Sequence, residues 1–123
     1  MALHSEKLEA WDLLGSIHML MQDWSSAVEA FQKLISKDCF DFQGWEQLGL
    51  CYLKIGDISS AKSAYEQAVQ LNPSEADTWV DLANIYMQLG DKDFALSAYQ
   101  NGLKYDWLDN EKRQQALDVI KQL

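Results

Sequence analysis

The chain has 123 residues, with nineteen Asp and Glu against ten Lys and Arg, and a formal charge of -9 that repels a phosphate backbone or an anionic membrane surface. One proline, six glycines and an apolar share of 48% exclude a collagen-like, linker-rich or disordered chain. No window approaches eighteen uncharged apolar residues, and the start, MALHSEKLEAW, has no basic stretch followed by an apolar run.

The spacing predicts seven helices. The first runs from about Ser5, a candidate cap, to Gln22, with Leu8, Trp11, Leu13, Leu14 and Ile17 in an apolar stripe. A turn containing Asp23 leads to the second, about Trp24 to Ser36, where Ala27, Phe31 and Leu34 face a partner. The third spans about Phe42 to Ile55 and closes at Gly56, a residue suited to a left-handed helix end. The fourth starts at Asp57, carries Ala61, Ala64, Tyr65 and Ala68, and stops before Asn72 and Pro73, because proline brings no donor and restricts the residue ahead of it. The fifth runs from about Glu75 to Leu89, ending at Gly90, and the sixth from about Lys92 to Lys104 over Ala95, Ala98, Tyr99 and Leu103. After Asn110 a last helix places Ala116, Leu117, Ile120 and Leu123 on one face, which fits a cap over the open end of an array.

A 34-residue period underlies these elements. Trp11, Trp45 and Trp79 are each followed three residues later by Leu14, Leu48 and Leu82; the same step carries Gly15 to Gly49 and Ala83, His18 to Tyr52 and Tyr86, Ala27 to Ala61 and Ala95, and Phe31 to Tyr65 and Tyr99. A repeat of this length is a helix pair that cannot bury its apolar side alone, so several must stack. Arg113 falls where the tryptophans stood, so the last helix is not a fourth copy.

This pattern, Trp-x2-Leu-Gly-x2-Tyr followed by Ala, an aromatic, Ala and Pro, resembles the tetratricopeptide repeat family, and Trp45, Leu48, Gly49, Tyr52, Gly56, Ala61, Tyr65, Ala68 and Pro73 match it almost fully. The first unit departs at His18, Gln22 and Leu34, and Cys39 and Trp107 stand where the middle unit has Pro73. The resemblance implies an all-α, right-handed superhelical solenoid in one domain over 1–123, with repeats at about 8–41, 42–75 and 76–109 and a capping helix at about 110–122.

In that family the first helix of each pair forms the concave surface. Carried over by register, the expected partner-binding residues are Glu9, Asp12, Ser16 and Met19, with Leu20, in the first unit. Gln43, Glu46, Leu50, Leu53 and Lys54 follow in the second, and Asp77, Val80, Asn84 and Met87, with Gln88, in the third. One-turn spacing puts most of each set on a common face. Leu50, Leu53, Met19 and Met87 suit an amphipathic helix or extended apolar segment, and Glu9, Asp12, Glu46 and Asp77 favour basic residues flanking it. The clamp with which other members hold a terminal carboxylate is not expected, because Asp12 and Glu46 occupy places where basic residues are wanted and Asn84 is a lone match.

The recurring tryptophans and tyrosines read as core rather than as an aromatic recognition patch, whereas Trp24 and Trp107 lie outside the recurring set. His18 replaces an aromatic and reads as a packing histidine with its polar atoms satisfied; His4, Cys39 and Cys51 have no chelating frame, and Asp38 and Asp41 lack the calcium-loop pattern, so neither metal nor cofactor is expected. No nucleophile, acid-base pair or phosphate loop has a supporting context, so no enzyme is expected. The expectation is a noncatalytic adaptor or small chaperone, cytoplasmic by its reduced cysteines, that binds another protein and neither nucleic acid nor the membrane interior. The alternative is a self-associating scaffold, a homo-oligomer.

Overall fold

A computed structural model describes residues 2–104 and 110–122. Seven helices are present among them: α1 (Ala2–Leu20), α2 (Trp24–Lys37), α3 (Phe42–Ile55), α4 (Ile58–Leu71), α5 (Ala76–Gln88), α6 (Lys92–Leu103) and α7 (Asn110–Gln122). They pack as antiparallel pairs, α1 with α2, α3 with α4 and α5 with α6, stacked in chain order, and α7 lies against α6 and α5. Trp107 and Asp109 lie outside the described residues.

The termini of these helices repeat as the sequence does. Asp23, Asp57 and Asp91 stand 34 residues apart, and each accepts from the backbone N–H three residues on, Ser26, Ser60 and Phe94 respectively, satisfying a donor that the first turn leaves free. Asp41 does the same for Gly44 at 2.9 Å. The sequence alone reads Asp23 as a turn residue and Asp57 as a helix start; the 34-residue recurrence of Asp23, Asp57 and Asp91 is what marks them as caps. Ser5 is not a cap: α1 already includes it, and a capping residue must sit just outside the helical turn.

The turn inside each pair needs one residue with positive φ. Gly56 and Gly90 supply it at 96° and 81°, and Gln22, in the same register, adopts 61° with a side chain that disfavours it. Gly15 and Gly49 serve close approach instead. A Cβ on Gly15 would sit 2.7 Å from the Phe31 ring, and one on Gly49 would sit 2.8 Å from the Tyr65 ring.

The connection after the first unit is preserved in spite of its missing proline. The Trp79 indole Nε1 donates to the Pro73 carbonyl at 2.7 Å, and the Trp45 Nε1 donates to the Cys39 carbonyl at 2.9 Å. The backbone oxygen does the work, so cysteine can stand in for proline.

Two apolar clusters form the core. One joins Ala27, Val28, Phe31, Leu34, Leu48, Cys51 and Ala64. The other joins Ala61, Tyr65 and Val69 to the buried face of α5, to Ala95, Ala98 and Tyr99 of α6, and to Ala116 of α7. Trp11, Trp45 and Trp79 are half-buried at the margins of these clusters rather than inside them.

The apolar stripe expected on α1 is only partly covered. Leu14 is 39% exposed, while its counterparts Leu48 and Leu82 are each 2% exposed. Those two are sandwiched by a helix from the preceding pair; no described element lies against α1 on that side. His18 departs from expectation as well: its Nδ1 is buried without a hydrogen-bond partner, and the nearest acid, Asp23, is 3.9 Å away.

Candidate functional site

The residues expected to bind a partner lie on α1, α3 and α5, the first helices of the three pairs, in columns 34 residues apart. Met19, Leu53 and Met87 form one column near the C-terminal ends of these helices. All three are half-buried, Met19 against the first cluster and Leu53 and Met87 against the second, which leaves part of each accessible. Leu50 is half-buried one turn earlier, between exposed Ser16 and Asn84 in its own column.

Glu9, Asp12, Gln43 and Asp77 are exposed around this apolar strip. Partial burial, and then the nearby Asp41 carboxylate, raises the pKa of Asp12 above the usual carboxylate range. A cation placed beside Asp12 would relieve that repulsion, which favours a basic flank on any occupant.

Several expected members are already engaged. Glu46 accepts from the Thr78 hydroxyl at 2.7 Å, a bond that ties α3 to α5. Thr78 is fully buried, so this bond satisfies a polar group that could not otherwise be desolvated cheaply. Asn84 accepts from the Tyr99 hydroxyl, linking α5 to α6. Burial, followed by the Asp81 and Glu46 carboxylates and Cys51, drives the Tyr65 pKa well above its ordinary value, so Tyr65 stays neutral there.

Val80 is a correction. At 4% exposure it belongs to the core, because α6 approaches α5 closely at Gly102, where an added Cβ would lie 3.3 Å from Val80 Cγ2. A partner would not reach it. Lys54 is exposed, but its Nζ lies 5.9 Å from the Trp24 ring centroid, directed toward the start of α2. Leu20 is 86% exposed and Gln88 is exposed at the end of α5.

Trp24 is half-buried against the first cluster, which is the packing role rather than an open contact. Cys51 is buried and Cys39 is exposed in the α2–α3 connection, both as free thiols. Among the described residues no group of three or more His, Cys, Asp or Glu is placed to hold a metal, and no helix is long and apolar enough to cross a membrane.

Stacked helix pairs with this repeating end chemistry define a repeat solenoid, with a mixed apolar and acidic strip along the first helices of its pairs. Family models described as tetratricopeptide repeat match residues 10–41 and 52–120. The chain belongs to the tetratricopeptide repeat family. A search of curated proteins finds no match.

Among solved structures, PcrH in complex with the chaperone-binding region of PopD superposes with a TM-score of 0.84 at 22% identity, over 95% of this chain and 90% of that one. The type III secretion translocator chaperone SycD of Yersinia enterocolitica gives 0.78 at 19% identity, over 97% and 91%. MamA gives 0.75 at 23% identity over 90% of this chain, which spans 61% of the MamA chain. At these identities the likeness is one of fold.

Proposed function

We propose that this protein is a noncatalytic adaptor or small chaperone that holds an amphipathic or basic-flanked segment of another protein along α1, α3 and α5. The observation that carries the reading is the half-buried line of Met19, Leu50, Leu53 and Met87 bordered by exposed Glu9, Asp12, Gln43 and Asp77. Apolar side chains already half-buried against a core lose less freedom on binding, and methionine adapts to irregular partners. Ser16, Glu46, Lys54 and Asn84 complete the polar margin. PcrH, of closely similar fold, is a structure solved with a chaperone-binding region of its partner, and SycD is a translocator chaperone; both support a chaperone role here. Two free thiols support action in the cytoplasm.

The test is capture from the native lysate by wild type beside a variant carrying Leu50→Gln, Leu53→Gln and Met87→Gln, with helicity checked by circular dichroism. Loss of a specific partner by the folded variant is expected. Identical partner sets would overturn the groove assignment.

A second reading, self-association into a scaffold, is favoured by one observation: Leu13, Ile17, Leu20 and Met21 are exposed together at the α1 end. Sedimentation of wild type and Leu13→Ser/Leu20→Ser separates the two, since a groove adaptor remains monomeric in both and a scaffold assembles only as wild type.

A further inference from the structure

Two crevices between successive helix pairs lie in the same register. The first is lined by Gln32, Trp45, Tyr52 and Ser60 and the second by Glu66, Trp79, Tyr86 and Phe94, each residue 34 positions beyond its counterpart. The scaffold is common to both: the two tryptophans are fixed through their indole N–H bonds to Cys39 and Pro73. The occupants of two positions differ, and they change the chemistry of the cleft.

In the first crevice Gln32 Nε2 donates to the Tyr52 hydroxyl at 2.8 Å, a neutral pair. In the second, the Tyr86 hydroxyl donates to Glu66 Oε2 at 3.1 Å, which places a carboxylate on the wall. Burial, then the charge and hydrogen bond of Glu66, with Asp91 adding to them, push the Tyr86 phenol up to about 12, so it remains a donor. The other carboxylate oxygen has no hydrogen-bond partner among the described residues, and none of their Lys or Arg nitrogens lies within 4 Å of Glu66.

The second difference is aromatic. Phe94 replaces Ser60 and stacks on Tyr86 with ring centroids 5.5 Å apart and planes at 29°. Its own outer face is left open, at 60% exposure. A stacked aromatic pair beside a carboxylate with no Lys or Arg nitrogen of the described residues within 4 Å, in a cleft of about 260 Å³ that also offers the amide oxygens of Gln70 and Asn101, has the ring face and acceptors of a cation site. A planar cation uses both features at once, its face on the ring and its edge toward the carboxylate.

We propose that the crevice between α4 and α6 binds an arginine side chain of a partner protein, the guanidinium stacking on Phe94 and donating to Glu66. This anchor lies on α4, α5 and α6, away from the inner strip of α1, α3 and α5, and stands whether or not that strip binds a peptide. The first crevice, with Gln32 in place of the carboxylate and Ser60 in place of the stacked phenylalanine, serves as a control within the same molecule.

The experiment titrates the full chain with N-acetyl-arginine amide and, separately, its neutral isostere N-acetyl-citrulline amide, followed by two-dimensional amide and indole NMR. The expected result is a saturable set of shifts confined to the Trp79 indole and the amides around Phe94 and Ser97, absent with citrulline and weakened at least fivefold in E66Q and in F94S. The double variant Q32E/S60F is expected to gain a matching set at the Trp45 indole. The proposal is overturned by equal response to citrulline, by undiminished binding in folded E66Q and F94S, or by shifts spread evenly over the acidic surface.

Discussion

The two ends of the solenoid are built from similar helices and finish differently. At the C-terminal end α7 places Ala116, fully buried, with Val119 and Ile120 onto the second cluster and turns Gln114, Gln115 and Asp118 to solvent. At the other end α1 leaves Leu13, Leu14, Ile17 and Leu20 exposed among the described residues. The repeat positions of Leu14 and Ile17 are therefore surface in the first unit and core in the second and third, where Leu48, Leu82, Cys51 and Ile85 are buried. Burial in a stacked array is a property of having a neighbour, and the residue type alone does not decide it.

The strongest way to break this contrast is to open the sealed end. Ala116→Asp would bury an unpaired carboxylate, and urea unfolding is expected to show a loss of about 3 kcal/mol or more. Next, Ala61→Leu overfills the α3–α4 contact, where Ala61 is fully buried, and should cost about 1–3 kcal/mol in the same measurement.

A change confined to the first unit should act in the opposite direction. Gln22→Gly removes the side chain from a left-handed position that its counterparts fill with glycine, with an expected gain of about 1 kcal/mol in thermal or urea unfolding. Leu20→Ser, at the open end, should move stability by less than about 0.5 kcal/mol.

Alkaline pH sharpens the comparison from the other side. Tyr65 and Tyr86 both belong to the second cluster and have pKa values raised above that of an unfolded tyrosine, near 10. The folded state then holds more protons than the unfolded one, so their contribution is complete below pH 10 and lost as the pH rises through about 12 for Tyr86. Hydrogen exchange followed across that window is expected to show α5 and α6 losing protection that they hold at neutral pH.

Much of this was legible in the sequence. The period fixed the pairing of helices, the positions of Gly56 and Gly90, and the close approaches at Gly15 and Gly49, because each depends on local geometry repeated at constant spacing. Exposure was less legible: Leu14, Leu48 and Leu82 are the same residue in the same register, and only the stack separates them. Val80 looked like a groove residue because the family register puts it in the column of Asp12 and Glu46; its burial follows from the close approach of Gly102 on another helix. The Glu46–Thr78 bond joins successive units and has no signature in either one. The crevice between α4 and α6 was hidden differently: Glu66 and Phe94 lie on separate helices and meet only on the Tyr86 phenol.

The division of the core has a consequence for cooperativity. The boundary between the two clusters runs through α4, whose Ala64 belongs to the first and whose Ala61, Tyr65 and Val69 belong to the second. A partly open form, in which α1 and α2 detach while α4 to α7 stay closed, is the expected outcome of such a division, at less cost than global unfolding. Cys51 reports on it directly, since its thiol is buried in the first cluster and pushed up to about 11 by that burial; its labelling rate measures the opening of that half alone. An occupant spanning Met19 to Met87 touches both halves, so it would slow Cys51 labelling and hydrogen exchange together, turning two loosely coupled blocks into one unit that opens all at once.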